Sequence, residues 1–392
     1  MSAQMNGLRL HGQGIMDNRM CTDYARRNQL ATLNPGSKKD DNFPMSVDDL
    51  LGSITTVDES VRGKARDYSA QLLQAPGALG RLEALGAQLS ALSNAIPPDL
   101  PQPAAIVVFA ADHGLRHDQP SRWPTGASAQ MTRAMCNGTT AVTAIARCLG
   151  AIVVVVDVGL VDDIEDVACL RPAKVRRGTG DIRIEAAMTV REVEAAMAIG
   201  AEVAEQLIAE GVRCLVPAEL AIGGRTAANA LVATMLGEPA EAFDARRPLA
   251  LEVVGHRVLT DVLARCNQAD DPVELLADIG GLEIAAMVGF LLGAAEHRVP
   301  VVLDGPVALS AALVTVELCP SVRSVLVVGH DSDDPAVKLV LDRLRLEPIL
   351  DVDVFMGDGT GAVLALPMLL AAATAMREMA TFESAGITPI FG

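Results

Sequence analysis

The run PAAIVVFAAD occupies residues 103–112 and leads into His113 and Gly114. Its apolar residues are not interrupted by polar ones, so a strand formed here would be buried on both faces. Four more runs have this form: AIVVVVDVG (151–159), CLVPAEL (214–220), PVVLDGP (300–306) and SVLVVGHD (324–331). Strands buried on both faces are typical of a parallel sheet that is covered by helices.

The segments between these runs have the character of helices. They are residues 126–149, 190–211, 226–237, 273–297, 307–318 and 335–345. Strands that alternate with helices predict an α/β fold, with a doubly wound, mostly parallel sheet and helices on both of its faces. Aromatic residues make up only 3% of the chain, so the core must be built from smaller aliphatic side chains.

Composition divides the chain into four regions. Residues 1–45 are polar and end in NPGSKKDDNFP, which predicts a flexible extension. Residues 46–100 are predicted to be a helical segment, and residues 101–350 carry the alternating strands and helices. Residues 351–392 combine a short strand-like alternation, a glycine loop and a C-terminal helix.

Charge and cysteine usage exclude several classes of protein. The 392 residues include 32 Lys and Arg against 49 Asp and Glu, a net charge of −17, so no basic surface for nucleic acid is expected. Seven scattered cysteines without a C-x-x-C motif predict neither a disulfide framework nor a zinc site. With no apolar secretory signal at the N-terminus, these features favour a cytoplasmic protein.

One stretch is apolar enough to raise the question of a membrane. Residues 359–376 carry no charge, but they include glycine, Pro367 and many alanines. A buried helix in a core is favoured over a membrane span, and no membrane partner is expected.

Polar segments follow the predicted strands. They are AADHG (110–114), AELAIGGRT (218–226), LDGP (303–306), VGHDSDD (328–334) and DVDVFMGDGTG (351–361). In open α/β sheets, ligands bind beyond the carboxyl ends of the strands. The sequence therefore predicts a site at this edge of the sheet.

Two glycine loops are candidates for binding phosphate. GGRTA (223–227) opens a predicted helix, where free N–H groups and Arg225 would favour an anion; a tight strand-to-helix turn is the alternative. RRGTGD (176–181) is able to form an N–H nest for a phosphate, or it is a plain surface turn. Neither loop matches a P-loop.

Two carboxylates are candidates for acid–base chemistry. Glu219 ends a predicted strand, and Asp358 lies between Gly357 and Gly359. They are able to act as a general base and its partner. Alternatively, each complements the dipole of a helix, a contribution of about 0.3–1 kcal/mol. The flanking glycines favour a functional role for Asp358, because a dipole complement needs no such backbone freedom.

Two histidines follow buried strands. Asp112 is able to orient His113, or either is able to contact a substrate, while a structural pair is the alternative. His330 and Asp331 repeat the arrangement. No spacing typical of metal ligands accompanies them, so no metal site is predicted.

Taken together, these segments resemble the nicotinate-nucleotide–dimethylbenzimidazole phosphoribosyltransferase family over about residues 47–390. Eight segments in the same order carry the resemblance: QAPGALGRLE (74–83), VVFAADHGL (107–115), PTGASAQM (124–131), KVRRGTGDI (174–182), AELAIGGRTAANAL (218–231), PVVLDG (300–305), VGHDS (328–332) and MGDGTGAVLALPML (356–369). The resemblance implies a homodimer with a small helical domain made from the chain ends. It also implies transfer of ribose 5-phosphate from nicotinate mononucleotide to a nitrogen of a benzimidazole, without metal or cofactor.

The resemblance also implies roles for individual residues. It gives Asp358 the position of the carboxylate that removes the azole proton; Glu219, singled out from its place at a strand end, is the second candidate catalytic carboxylate. The implied nucleotide-binding residues are Arg177, Gly178, Thr179, Gly180, Gly223, Gly224, Arg225 and Thr226. The implied base-binding residues are Gln130, Met131, Asp112, His113, Asp304, His330, Gly357, Gly359 and Thr360.

The chain departs from the family pattern at four places in this site. The family loop reads G-E-G-T-G, so Asp358 is shorter than the expected glutamate by about 1.5 Å. Arg225 stands where the family has Asn, and the loop after His330 is acidic. Residues 238–258 lack the expected Gly-Thr-Gly and lysine; the candidate substitutes are Arg246, Arg247, His256 and Arg257.

These departures leave three interpretations open. The chain is a phosphoribosyltransferase with a different acceptor or donor, or a family member that tolerates the substitutions. In the third interpretation it is a paralogue without activity, which binds a nucleotide or serves as one subunit of a heteromeric enzyme.

Overall fold

A computed structural model describes residues 47–116, 126–165, 167, 169–244, 252–266, 270–354 and 356–388. The predicted extension over residues 1–45 lies outside these ranges. Seven strands form one sheet: β1 Ala104–Asp112, β2 Ile152–Gly159, β3 Leu170–Pro172, β4 Cys214–Ile222, β5 Val301–Leu303, β6 Leu326–His330 and β7 Pro348–Leu350. Their order is β3-β2-β1-β4-β5-β6-β7, and every neighbouring pair is parallel.

Helices cover the sheet. They are α1 Val47–Ser53, α2 Glu59–Ser69, α3 Arg81–Ser93, α4 Ala127–Cys136, α5 Ala141–Cys148, α6 Val190–Ala209, α7 Gly224–Leu236, α8 Glu252–Arg265, α9 Pro272–Ile279, α10 Leu282–Glu296, α11 Gly305–Leu318, α12 Pro335–Leu344 and α13 Thr360–Glu378. The predicted α/β fold is confirmed.

Strand β1 shows why the predicted strands are apolar throughout. Its residues alternate between two cores on opposite faces of the sheet, with Phe109 in the larger core and Val108 in the smaller. The larger core contains residues of α6, α7, α10, α11 and α12, and the smaller one contains residues of α4, α5 and α13. Both faces are therefore covered, as a doubly wound sheet requires.

The direction of winding reverses between β1 and β4. The connection from β1 to β2 runs through α4 and α5 on one face, whereas the connection from β4 to β5 runs through α7 to α10 on the other. In such sheets the ligand crevice lies at this reversal, outside the carboxyl ends of the two strands. His113 and Gly223 follow β1 and β4 there.

Helices α6 and α10 pack with their backbones in close contact. A Cβ atom at Gly200 would lie 1.8 Å from the carbonyl oxygen of Ala286, and one at Gly289 would lie 1.8 Å from that of Met197. Side chains at these positions would force the helices apart, so glycine sets the distance between them. This packing holds the first turn of α10 beside the crevice.

The two ends of the described chain meet. The Tyr68 hydroxyl donates to the carbonyl oxygen of Met376 at 3.3 Å, and Leu72 forms a bridge with Thr381. Met376 also shares a small core with Ala65, Leu72 and Ala87. These contacts fit the small helical domain expected from the chain ends, whose boundaries stay a prediction.

Helix α13 is the apolar segment that raised the membrane question. Within the described ranges it is the one helix long and apolar enough to cross a membrane, and 56% of its most apolar stretch is buried. Val363, Leu366 and Leu369 pack in the smaller core of the sheet. In this fold α13 is a core helix.

Three predicted elements were wrong in detail. The helix predicted over 126–149 is divided at residues 137–140, and the one over 273–297 is divided at Gly280 and Gly281. The strand-like alternation at 351–354 is not a strand; β7 ends just before it. Strand β3 was not predicted, because it is only three residues long and lies at the sheet edge.

Candidate active site

The N-terminus of α7 opens at the reversal of the sheet. Gly223, which precedes α7, has a φ of 105°, and a Cβ atom there would lie 2.9 Å from Cβ of His113. Both the backbone conformation and the space require glycine. Within the described residues, no side chain caps this helix start, so its N–H groups and its dipole favour an anion.

His113 lies behind this turn in a wholly buried pair with Glu283. Nε2 of His113 is 2.7 Å from Oε1 of Glu283, and both side chains are 0% exposed. Burial lowers the pKa of His113, but the charge and hydrogen bond of Glu283 outweigh burial, so the pKa is raised above its usual value. Glu283 was missed from the sequence, although it is the only charged residue between Asp278 and Glu296.

Asp112 holds three segments together beside the crevice. Its carboxylate accepts hydrogen bonds from Ser128 Oγ at 2.7 Å and from the N–H of Val161 at 3.0 Å. Its carbonyl oxygen accepts from the N–H of Thr179 at 3.0 Å. These contacts are structural, and a direct contact of Asp112 or His113 with the acceptor base stays a prediction.

The interpretation of residues 178–180 as an N–H nest is wrong. The N–H groups of Gly178, Thr179 and Gly180 donate to the carbonyl oxygens of Gly159, Asp112 and Ala187, respectively. They are therefore occupied by the protein. A contribution of this loop to nucleotide binding stays a prediction that depends on side chains.

The two arginines predicted to bind phosphate are both in ion pairs. Nη2 of Arg177 is 2.6 Å from Asp163, and Nη2 of Arg225 is 2.7 Å from Oδ2 of Asp334. The Arg225 side chain is 44% exposed and that of Asp334 only 6%. Asp334 also accepts from the N–H of Ala336 at the start of α12. Two departures from the family pattern, Arg225 and the acidic loop after His330, therefore contact each other.

Carboxylates occupy the N-terminus of α13. Asp304 accepts from the N–H of Gly361 at 2.8 Å, and Asp358 accepts from both the N–H and the hydroxyl of Thr360. Burial raises the pKa of Asp304, although the N–H of Gly361 opposes the shift. Gly359 has a φ of 85°, and a Cβ atom there would lie 2.9 Å from that of Ala218. The glycines thus bring this capped turn onto β4.

Glu219 lies against the same loop. A Cβ atom at Gly357 would lie 3.0 Å from Oε1 of Glu219, while Oε2 is buried with no hydrogen-bond partner in the described part of the chain. Burial, followed by the charges of Asp304, Glu283 and Asp358, raises the pKa of Glu219 well above its usual value. The structure thus brings together the two carboxylates singled out from the sequence.

The remaining predicted residues that the structure describes include side chains on β6, α4 and α8. Nε2 of buried His330 accepts from the N–H groups of Val352 and Val354, so His330 supports the loop after β7. Gln130 and Met131 lie exposed on α4. Of the four candidate substitutes in 238–258, Arg246 and Arg247 lie outside the described residues, His256 pairs with Asp244 at 2.8 Å, and Arg257 is exposed.

This edge of the sheet has no arrangement suited to a metal ion. Among the residues that the structure describes, no group of three or more His, Cys, Asp or Glu side chains is placed to hold one. What the edge offers instead is an uncapped helix start for an anion, next to carboxylates that are able to accept a proton.

Comparisons with known proteins agree with this geometry. The sequence profile of a phosphoribosyltransferase family matches residues 54–387. The nicotinate-nucleotide–dimethylbenzimidazole phosphoribosyltransferase of Salinispora tropica is 37% identical over 88% of this chain and 99% of its own length. The enzyme of that name from Deinococcus radiodurans is 39% identical over 87% of this chain and 96% of its own. A crystal structure of the Thermus thermophilus enzyme superposes with a TM-score of 0.80, at 37% identity, over 85% of this chain and 99% of that one.

Proposed function

Since the chain belongs to the nicotinate-nucleotide–dimethylbenzimidazole phosphoribosyltransferase family, we propose that it transfers ribose 5-phosphate from nicotinate mononucleotide to a nitrogen of an aromatic base such as a benzimidazole. The product is an α-riboside phosphate, and nicotinate is released. The acceptor proton leaves through the carboxylates at Asp358 and Glu219.

The observation that carries this proposal is the contrast between two glycine-led helix starts. Among the residues that the structure describes, no side chain caps the start of α7, whereas Asp304 and Asp358 accept the first N–H groups of α13. A phosphate is attracted to the first and repelled by the second. The donor therefore binds with its phosphate at α7 and its C1′ toward the carboxylates.

The reaction follows from that orientation. The bond between C1′ and the nicotinate nitrogen breaks, and its electron pair stays on nicotinate. The acceptor nitrogen attacks C1′ from the opposite face, which inverts the configuration. The proton of the acceptor nitrogen passes to Asp358, which lies next to Glu219, a carboxyl group whose pKa is raised by burial and by its acidic neighbours.

The oligomer and the compartment are also proposals. We propose a cytoplasmic homodimer, as the resemblance and the cysteine usage imply. Size-exclusion chromatography with light scattering measures the oligomer of the purified chain. A chain that is monomeric alone, but pairs with a second family member when the two are produced together, would favour the heteromer.

The test of activity is nicotinate release. The protein is incubated with nicotinate mononucleotide and a panel of azoles and phenols, and both nicotinate and the new riboside are quantified. At least one acceptor is expected to give stoichiometric amounts of the two products, and the panel identifies it. If none does, yet nicotinate mononucleotide raises the melting temperature, the chain is a nucleotide-binding paralogue and not an enzyme.

Asp358→Asn is expected to lower turnover by a factor of about 10²–10⁴, the usual contribution of a general base. The matched control is Asp351→Asn, an exposed aspartate in the loop before it, which is expected to keep full turnover. Equal turnover of Asp358→Asn and the control would remove Asp358 from the mechanism.

A further inference from the structure

The His113–Glu283 pair is a buried charged group that the mechanism above does not use. Both side chains are fully buried, and burying two charges is costly unless their contact and their other hydrogen bonds compensate. Here they compensate only in part. Nδ1 of His113 and Oε2 of Glu283 are buried with no partner among the described residues. Such a pair contributes little to the stability of the fold. Its position beside the start of α7 points to a role in the site.

The imidazole ring lies directly behind the first turn of α7. Cβ atoms added at Gly223, Gly224 and Gly281 would lie 2.9 Å from Cβ, 3.7 Å from Nε2 and 2.7 Å from Cε1 of His113, respectively. A Cβ atom at Gly224 would also lie 3.0 Å from Oε1 of Glu283. Glycines on two elements thus let the pair approach the uncapped helix start.

Several charged residues surround the His113–Glu283 pair. Asp112 on β1 is the neighbour of His113 and accepts hydrogen bonds from Ser128 and Val161. On α7, Arg225 is paired with Asp334. Glu219 on β4 is close enough for the charge of Glu283 to raise its pKa. If His113 were neutral, the charge of Glu283 would stand uncompensated beneath the site where an anion binds.

When His113 carries a proton, its positive charge compensates the negative charge of Glu283. The pair is then neutral overall, and Nδ1 carries an N–H that no described residue accepts. Because the pKa of His113 is raised, the ring keeps its proton to higher pH than a free histidine does. Above that range the proton leaves, and a net negative charge remains behind the α7 turn.

We propose that His113 and Glu283 form a positioning pair for the donor phosphate. A proton on His113 balances the charge of Glu283, so the region behind the first turn of α7 has no net charge and a dianion is able to bind at that turn. The identity of the ligand rests on the proposed function. Because both side chains are fully buried, this proposal replaces the predicted contact of His113 with the acceptor base, and the pair is expected to affect donor binding and not acceptor binding.

The decisive variant is Glu283→Gln, which keeps the size of the side chain and a hydrogen bond to His113 but removes the charge. Glu296→Gln, at the other end of α10, is the matched control. Calorimetry measures binding of ribose 5-phosphate and nicotinate mononucleotide between pH 7 and 9.5, where the phosphate is already dianionic because its second pKa is about 6.

Wild type and the control are expected to bind both ligands more weakly as pH rises. Glu283→Gln is expected to bind both ligands as well as wild type at pH 7, because neither the protonated pair nor a neutral His113 beside glutamine carries a net charge. It is expected to keep that affinity at pH 9.5, where wild type binds about tenfold more weakly because one uncompensated charge lies behind the turn. The KM of the acceptor is expected to be the same in all three proteins. Imidazole NMR, with the His113 signal assigned from its absence in His113→Gln, is expected to show His113 titrating at lower pH in Glu283→Gln.

Several outcomes would overturn the inference. They are a Glu283→Gln affinity that falls with pH as the wild-type affinity does, an unchanged His113 titration, and wild-type binding that is independent of pH or absent for both ligands. If Glu283→Gln does not fold, the wild-type pH series and NMR titration still decide. A protein that binds ribose 5-phosphate with this pH dependence but releases no nicotinate counts against the proposed function alone.

Discussion

Asp358 reaches about 1.5 Å less far than a glutamate at the same Cα would. One of its oxygens is already engaged by Thr360. A displacement of about 1 Å in a catalytic group costs on the order of a hundredfold in rate. With Asp358 as the base, there are two alternatives: the acceptor sits deeper in this site than a longer carboxylate would require, or the base is weakened.

Asp358→Glu tests how deep the acceptor sits. If dimethylbenzimidazole is the acceptor, the longer side chain is expected to raise kcat by roughly tenfold, because it restores the reach of the base. Steady-state kinetics with saturating nicotinate mononucleotide measure the change. A kcat that stays constant or falls would indicate an acceptor shaped for the shorter residue.

Glu219 links activity to stability through its raised pKa. A carboxyl group whose pKa is raised on folding stabilises the folded state below its usual pKa, and that stability is lost as pH rises through the folded pKa. The melting temperature of the wild type is therefore expected to fall, in part, as pH rises above about 4.5.

Glu219→Gln is expected to melt higher than the wild type at pH 8, with a difference that shrinks toward pH 5, and to lose most of its turnover. Calorimetric melting curves across that range measure the effect. Glu205→Gln, an exposed site on α6, serves as control and should follow the wild type. A variant that melts below the wild type at every pH would contradict the raised pKa.

At the scale of elements, the contact between α6 and α10 is tightly constrained, because Gly200 and Gly289 let the two helix backbones touch. Gly289→Ala is expected to lower the free energy of unfolding by about 1–3 kcal/mol, because the added methyl group meets the backbone of Met197. Urea unfolding measures the change. Gly63→Ala on α2 is the control: nothing lies within 4 Å of a Cβ atom there, so it is expected to be neutral or to stabilise by about 0.5–1 kcal/mol.

The breaks inside two predicted helices show where sequence patterns fail. Apolar spacing continues through Gly280 and Gly281, so the pattern favours one long helix. At the break, a Cβ atom at Gly281 would lie 2.5 Å from Oε1 of Glu283 and 2.7 Å from Cε1 of His113, so glycine is required there. The contact with His113 joins residues far apart in sequence, so local propensity does not reveal it.

At the scale of the whole molecule, the sheet was predictable and the charge pattern was not. Buried strands such as β1 reveal themselves as apolar runs, and alternation with helices fixes a parallel, doubly wound arrangement. Glu219 and Asp358 were singled out from their places after a predicted strand and between two glycines, and the resemblance gave Asp358 the position of the base. It did not reveal that Glu283 pairs with His113, because that pairing joins residues 170 positions apart.

The contrast between the α7 and α13 starts also emerges only in three dimensions. Both helices follow glycine-rich turns, and local sequence treats them alike. They differ because Asp304, at the end of β5, reaches the N–H of Gly361 on α13. Sheet order therefore determines which helix is left open to an anion.

The contact between Arg225 and Asp334 has a consequence for ancestry. Arg225, 44% exposed, is tolerable without a partner, whereas Asp334, 6% exposed, would keep only its hydrogen bond from the N–H of Ala336 and no opposite charge. The evolutionary order with the lower cost in stability is arginine at position 225 first and aspartate at position 334 second. Relatives that carry only one of the two are then expected to carry the arginine, and reconstructed ancestors should preserve that order.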